Sequence, residues 1–146
     1  MAGPYLTHDE LKQRVAGVLQ KDVATLDPRW DGHVANGLDF GWQEIADRLS
    51  ARGFTEGQID SWDRRVEFNE TLGIFRALTL GAMLTSFDDR YIKMFDRRGD
   101  LDKLQVIRIG GVATAPSPPT AGNLAYGVGT LAADKVEEIN CLDWWD

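Results

Sequence analysis

The chain has 146 residues, of which 43% are hydrophobic, and its formal net charge at pH 7 is -7. This length fits one domain, with or without a tail, and the acidic balance argues against a groove that holds nucleic acid by neutralising phosphates. The single cysteine, Cys141, excludes an internal disulfide framework and indicates a reducing compartment during folding.

The first predicted element is an amphipathic helix of about four turns that ends near Lys21. Thr7 and Glu10 have the spacing of a capping box, in which each side chain bonds a backbone N–H at the helix start. The apolar stripe of this helix consists of Leu11, Val15, Val18 and Leu19. No basic segment followed by an apolar run precedes it, so we expect no signal peptide.

A long loop, with room for one helical turn, is predicted at residues 22–37, because pairs of turn-forming residues recur along it. These pairs are Asp27-Pro28, Asp31-Gly32 and Asn36-Gly37. Trp30 and Val34 are expected to fix the loop to the core. A second helix follows and ends at Arg52-Gly53. Its apolar residues at helical spacing are Leu38, Trp42, Ile45, Ala46 and Leu49.

Residues 55–84 are predicted to form one long central helix, on which the bundle is built. The stretch contains no proline and opens with a second capping box, Thr55 and Gln58. Its first apolar stripe comprises Ile59, Trp62, Val66, Gly73, Ala77, Leu80 and Leu84, and its second comprises Phe68, Leu72, Phe75, Thr79, Ala82 and Met83. A helix that is apolar on two sides is either the buried rod of a bundle or packs on one side against a neighbouring subunit. The sequence leaves both alternatives open.

Small residues recur at four-residue spacing along this helix, at Gly73, Ala77 and Gly81. Each glycine costs a helix about 1 kcal/mol relative to alanine. We therefore expect another helix to pack closely against these residues and to offset that cost. The apolar run is too short to span a bilayer and Arg76 interrupts it, so we expect the close packing of a soluble protein.

A short helix, a turn and a strand are expected next. The apolar residues of the short helix are Tyr91, Ile92 and Phe95. Its N-cap is Ser86 or Asp88. The turn is predicted at residues 96–100 and the strand at residues 105–109, where Gln-Val-Ile-Arg-Ile is the one convincing strand pattern.

The composition changes after the strand. Gly, Ala, Pro and Ser dominate up to about residue 133, which is the composition of an extended arm. We therefore divide the chain into a helical domain at residues 1–109 and an arm at residues 110–146. The arm carries Trp144 and Trp145, and tryptophan is strongly enriched at interface hot spots. Either these rings dock on a partner or neighbouring subunit, or the arm folds back over its own core.

No set of residues has the spacing of a catalytic or metal site. His8 begins a helix and His33 lies in the predicted loop, and neither has a second ligand at the spacing of a metal pair. Cys141 has no histidine near it in the sequence. Residues 96–107 fail the pattern of a calcium loop, because the twelfth position is the apolar Ile107. We therefore expect no enzymatic activity, no cofactor and no bound metal.

Four segments of the chain carry a resemblance to a known family. They are Tyr5-Leu6-Thr7-His8-Asp9-Glu10-Leu11, Ala46-Asp47-Arg48-Leu49-Ser50-Ala51-Arg52-Gly53-Phe54, Leu72-Gly73-Ile74-Phe75-Arg76-Ala77-Leu78 and Tyr91-Ile92-Lys93-Met94-Phe95-Asp96-Arg97-Arg98. In this order they resemble the head–tail connector (adaptor) proteins of tailed double-stranded DNA bacteriophages and related gene-transfer particles. The resemblance covers residues 5–109, and the long Gly/Pro-rich arm departs from it.

The resemblance implies an all-α fold, a small helical bundle, whose copies form a ring, usually a dodecamer, beneath the portal protein. The ring would join the portal to the next tail-side ring, a stopper or tail terminator, and DNA would pass through its channel without specific binding. Such a protein is made in the bacterial cytoplasm, resides in the virion and contacts no membrane. The alternative is a small cytosolic helical module that binds or regulates a partner without catalytic activity.

The candidates for an interface with the portal or with a second subunit come from the second stripe and from the arm. They are Phe68, Leu72, Phe75, Thr79, Met83, Trp144 and Trp145.

Overall fold

The computed structural model describes residues 3–116, which form a small helical bundle with a two-stranded hairpin. The helices are α1 (His8–Leu19), α2 (Arg29–Ala51), α3 (Glu56–Asp60), α4 (Arg65–Leu80), α5 (Asp89–Lys93) and α6 (Arg98–Lys103). The strands are β1 (Ile107–Ile109) and β2 (Val112–Thr114), and short 3-10 turns lie at Val23–Thr25 and Ala82–Leu84. The predicted all-α class is confirmed. The described part of the predicted arm is residues 110–116, which include β2. The rest of the arm, residues 117–146, lies outside the described residues.

Helix α1 begins as its sequence predicts. The Thr7 hydroxyl accepts a hydrogen bond from the Glu10 N–H at 3.2 Å, and the Glu10 carboxylate accepts one from the Thr7 N–H at 2.8 Å. These reciprocal bonds satisfy two backbone donors that no helical carbonyl can reach. Leu11 and Val15 then point into the core and are fully buried.

The loop predicted at residues 22–37 is wrong from Arg29 onward, where α2 begins. The Asp27 carboxylate accepts the Arg29 N–H at 2.9 Å and pairs with the Arg29 guanidinium, also at 2.9 Å. The bonds from the guanidinium, and then the backbone bond, lower the pKa of Asp27 to about 2. Asp27-Pro28 is therefore a helix start, a position that suits both residue types as well as a turn does. Trp30 and Val34 are buried as expected, but in the helix.

Residues 55–84 do not form one helix, because α3 ends at Asp60 and α4 begins at Arg65. Asp63 lies in the break and is bonded to the hairpin. Its N–H donates to the Arg108 carbonyl at 2.8 Å, and its carboxylate accepts the N–H groups of Gly110 and Gly111, each at 2.8 Å. These bonds between distant residues replace the helical bonds that a continuous rod would make.

The hairpin turn needs glycine at both of its central positions. Gly110 and Gly111 have φ angles of +60° and +83°, which residues with a Cβ rarely adopt. The turn pairs the two strands antiparallel, with Ile109 opposite Val112 and Ile107 opposite Thr114. The strand predicted at residues 105–109 is thereby confirmed over its last three residues. Residues 98–100, predicted to belong to a turn, instead open α6.

Helices α2 and α4 pack closely at glycines, as the small residues of α4 predict. A Cβ added at Gly37 would overlap the Gly73 carbonyl oxygen and lie 3.3 Å from the Ala77 nitrogen. One turn further along α2, a Cβ at Gly41 would lie 2.6 Å from the Asn69 carbonyl oxygen. Only the absence of these Cβ atoms permits so short a distance between the helices.

Two hydrophobic clusters fill the bundle on either side of this crossing. One holds Leu11, Val15, Ala16, Leu26, Trp30, Val34, Ile74, Ala77, Leu78 and Ile92. The other holds Ile45, Leu49, Phe54, Ile59, Trp62, Phe68, Leu72, Leu101 and Ile107. The chain's own residues thus cover most of the first stripe and the first half of the second, which is the buried-rod alternative for that part, whereas Thr79, Ala82 and Met83 of the second stripe are exposed. The stripes by themselves do not require a second subunit.

Candidate interaction surface

The structure separates the predicted interface residues into core and surface. Phe68 and Leu72 have 0% of their surface exposed, so they are core residues and offer no area to a partner. Phe75 is partly buried, Thr79 is exposed, and Met83 is 98% exposed. Trp144 and Trp145 lie outside the described residues. The usable part of the predicted interface is therefore the end of α4 and the turn that follows it.

The second stripe leaves the core along the direction of α4. Its first residues lie between α2 and α6, whereas its last residues stand where α4 ends at Leu80 and the Ala82–Leu84 turn begins. Leu80 itself is 37% exposed. An apolar side chain exposed as fully as Met83 gains nothing from folding, because its surface stays in water.

Beside Phe75 lies a group that we call the platform, made of Phe40, Phe75, Arg76 and Arg98. The rings of Phe40 and Phe75 are 6.2 Å apart at an angle of 43°. The Arg76 guanidinium lies 5.3 Å from the centre of the Phe40 ring, and that of Arg98 lies 5.2 Å from the centre of the Phe75 ring. These distances are within the range of cation–π attraction. All four side chains are partly exposed.

The two arginines of the platform differ in their partners. Arg98 forms a bidentate pair with Asp96, with nitrogen–oxygen distances of 2.8 and 2.7 Å, and this pair lowers the pKa of the Asp96 carboxyl. Arg76 donates from Nε to the Asn36 side-chain oxygen at 3.0 Å. No carboxylate of the described residues forms an ion pair with Arg76, and its two terminal nitrogens make no hydrogen bond within this part of the chain.

Two further arginines contact the Phe68 ring, and carboxylates of the same chain neutralise their charge. Arg97 and Arg64 lie 4.2 and 5.0 Å from the centre of the Phe68 ring. Both bond the Glu67 carboxylate, and Arg64, whose contribution is the larger, and Arg97 lower the pKa of Glu67. Arg97 also pairs with Asp100 at 2.7 Å. Of the adjacent arginines at positions 64–65 and 97–98, three therefore form ion pairs within the described residues, namely Arg64, Arg97 and Arg98.

The N-terminal segment is tied to the bundle by a buried polar residue that sequence reasoning missed. Asn69 has no exposed surface, and it accepts the Tyr5 N–H at 3.0 Å and donates to the Leu38 carbonyl at 3.1 Å. The Tyr5 hydroxyl donates to Asp60 at 2.8 Å, and burial followed by this bond raises the pKa of Tyr5. An asparagine among apolar residues was the only signal available in the sequence.

The histidines lie apart from each other and from the platform. His8 Nε2 lies 3.0 Å from the Asp31 carbonyl oxygen, and the His33 ring meets the Trp30 ring edge-on at 5.7 Å. Within residues 3–116 no three His, Cys, Asp or Glu side chains are grouped so that they could hold a metal. No helix of that same part is long and apolar enough to cross a bilayer.

Phe75 belongs both to the platform and to the second stripe, whose exposed residues lie at the end of α4 and in the turn that follows it. The platform and these exposed residues offer an aromatic surface, an ordered cation and a fully exposed methionine. This combination suits contact with another macromolecule better than it suits chemistry on a small molecule. Comparisons with models of protein families, with curated proteins and with solved structures found no match for this chain.

Proposed function

We propose that this chain is a structural virion protein whose copies form a ring at a phage head–tail junction. The ring joins the portal protein to the next tail-side ring and lets DNA pass. The observation that carries the proposal is the second stripe, which begins in the core at Phe68 of α4 and ends in water at Met83, in the turn that follows α4. A stripe that continues past the core is explained if a second copy or the portal covers its exposed end.

The fold supports the proposal because it matches the expectation from the connector resemblance, a small helical bundle. In such a ring the buried part of the stripe stabilises each copy, and the exposed part remains for contact between copies. The closely packed α2 and α4 give each copy a rigid core, so that a repeated contact can close a ring without deforming the subunit.

The charge distribution supports a channel that does not hold DNA. The chain carries a net charge of -7, and Arg64, Arg97 and Arg98 are already paired with carboxylates of the same chain. The net negative charge and these paired arginines leave little attraction for phosphates, so DNA contacts would be weak and unspecific. A passage through which DNA has to slide needs a surface of this kind.

The test is assembly of the full chain, alone and with the portal protein from the same genome. Light scattering coupled to size-exclusion chromatography gives the number of copies, and electron microscopy shows whether they form a ring. We expect a ring in solution or on the portal. Met83→Glu should prevent its formation, because a carboxylate would be buried in the contact. Met94→Glu is the matched control, since Met94 is 72% exposed and lies just after the end of α5.

A single copy in solution at about 100 µM that also fails to bind the portal would contradict the proposal, since specific interfaces of standard size hold well below that concentration. That result would favour the alternative, a helical binding or regulatory module. Equal assembly of the Met83→Glu variant would remove the observation on which the ring proposal rests.

A further inference from the structure

We propose that Arg76 is the anchor by which one copy of this chain holds a carboxylate of the next copy. The inference rests on the proposed assembly of identical copies and names the contact that forms it. It follows from the geometry of the platform, from the bonds that Arg76 leaves unused, and from the charge of the chain.

Arg76 is held in place before any partner arrives. Its Nε donates to Asn36 of α2 at 3.0 Å, and its guanidinium lies over the Phe40 ring at 5.3 Å. A guanidinium fixed on an aromatic face loses less freedom on binding than a mobile side chain does. Its two terminal nitrogens, unbonded within residues 3–116, are free to donate hydrogen bonds to the two oxygens of one carboxylate, which is the bidentate geometry.

The neighbouring Arg98 shows which kind of partner Arg76 lacks within the described residues. Arg98 lies against the same two rings and is satisfied by Asp96 of its own chain. Arg76 lies against Phe40 in a similar way and has no ion pair within residues 3–116. The platform therefore contains one completed arginine–carboxylate pair and one arginine that a carboxylate from outside would complete.

The net charge indicates that a second copy supplies this carboxylate. The chain has 23 acidic residues against 16 lysines and arginines, so every copy carries spare carboxylates. In the described part, Asp39, Asp47 and Asp89 form no ion pair. A nucleic-acid phosphate would also fit the two terminal nitrogens of Arg76, but duplex DNA carries a much denser negative charge than a second copy does, so the acidic surface repels DNA more strongly.

The surroundings of Arg76 are those of an interface core. Arginine, phenylalanine and methionine are enriched in the cores of interfaces between proteins. Phe75 of the platform is one turn from Thr79 on the same face of α4, and the stripe continues to the exposed Met83. A second copy that lies on this stripe would exclude water from Arg76 and so strengthen the ion pair.

The first experiment compares the Arg76→Glu variant with wild type and with Arg90→Glu. Arg90 is exposed on α5 and forms no ion pair with any residue of 3–116, so its substitution makes the same change of charge away from the platform. Sedimentation equilibrium measures self-association, and copies bound per portal are counted if assembly needs the portal. We expect Arg76→Glu to weaken assembly about 30-fold or more and Arg90→Glu to leave it within about two-fold.

The second experiment identifies the carboxylate. The Arg76→Lys variant is prepared with natural nitrogen and with ¹⁵N, the two preparations are mixed, and a carbodiimide joins amines to carboxylates in contact. We expect cross-linked peptides in which the lysine at position 76 carries one label and the acidic residue the other. Such mixed peptides arise only between copies, whereas contacts inside one copy give peptides of a single label.

The outcomes separate this inference from the proposed function. If wild type forms rings and Arg76→Glu forms them equally well, Arg76 is not the anchor between copies, and the ring proposal stands. If wild type never assembles, both are wrong. Cross-links of a single label only, or Arg76-dependent binding of duplex DNA at about 150 mM salt without self-association, would overturn the anchor as well.

Discussion

Gly41 of α2 faces Asn69 of α4 so closely that a Cβ added at Gly41 would lie 2.6 Å from the Asn69 carbonyl oxygen and 2.7 Å from its side-chain nitrogen. The first of these atoms belongs to the backbone and cannot turn aside. The distance between the two longest helices of the bundle is thus set by the absence of side chains at the crossing, at Gly41 and, one turn earlier, at Gly37.

Replacing Gly41 by alanine should therefore destabilise the fold. Overpacking a close contact costs about 1–3 kcal/mol, which exceeds the roughly 1 kcal/mol that alanine gains over glycine in a helix. The matched control is Gly32→Ala in the same helix, where a Cβ has no atom within 4 Å. The control should be neutral or stabilising. Urea unfolding followed by circular dichroism measures both, and equal midpoints for the two variants would contradict the close packing.

Asp63 should make the stability depend on pH in the acid range. The bonds from the N–H groups of Gly111 and Gly110 hold the pKa of this carboxyl below its ordinary value of 3.8. A carboxyl with a lowered pKa in the folded state stabilises the fold fully above its unfolded value. That contribution is lost as the pH falls below about 4 and through the folded pKa.

The Asp63→Asn variant tests this contribution, because an amide offers one acceptor oxygen where the carboxylate offers two. We expect a lower urea midpoint than wild type at pH 7 and a smaller difference between the two at pH 3. Asp27, Glu67 and Asp96 also have lowered pKa values, so the difference between the two proteins is the quantity to follow. Asp47→Asn serves as control, since Asp47 has no ion pair in the described part of the chain. A constant difference between pH 7 and pH 3 would refute the assignment.

Asn69 should stabilise the fold through its two buried bonds. Asn69→Leu removes the bond from the Tyr5 N–H and the bond to the Leu38 carbonyl. Each such bond contributes about 0.5–1.5 kcal/mol, so we expect a loss of about 1–3 kcal/mol. Gln43→Ala on the exposed side of α2 is the control. Hydrogen exchange should also show faster exchange of the Tyr5 amide, and unchanged protection there would argue against the bond.

Phe68 and Met83 belong to one apolar stripe but should respond oppositely to truncation. Phe68→Ala leaves a cavity in the core and should cost about 3–5 kcal/mol of stability. Met83→Ala removes a side chain that is 98% exposed and should leave the unfolding midpoint nearly unchanged. Thermal unfolding of the unassembled protein measures the change in stability of both variants. A large loss of stability for Met83→Ala would mean that Met83 packs within its own subunit.

Sequence reasoning was reliable where the bonds are local. Both capping boxes, at Thr7 and at Thr55, form as predicted, because their partners are three residues apart. It failed at Ser61–Arg64 because the residues that bond Asp63 are 47 and 48 positions away. It failed in α2 because Asn36-Gly37, a pair that is typical of turns, lies within a helix here, where Gly37 lets a second helix approach.

The candidate surface was predicted only in part. Helical periodicity placed Phe75, Thr79 and Met83 on one line, but it cannot show at which residue that line leaves the core. The platform could not be foreseen, because Phe40, Phe75 and Arg98 come from three helices that only the folded chain brings together.

The hairpin has a mechanical consequence for everything that follows it in the chain. Residue 117 continues directly from the segment after β2, and the turn before β2 is bonded to Asp63 in the break between α3 and α4. Tension applied to the C-terminal stretch would first load the bond from the Gln58 side-chain amide to the Ala115 carbonyl, then β2 against β1, and then the two bonds to the Asp63 carboxylate. The junction of α3 and α4, rather than either end of the bundle, is thus the place where a pulling force would be transmitted to the helices.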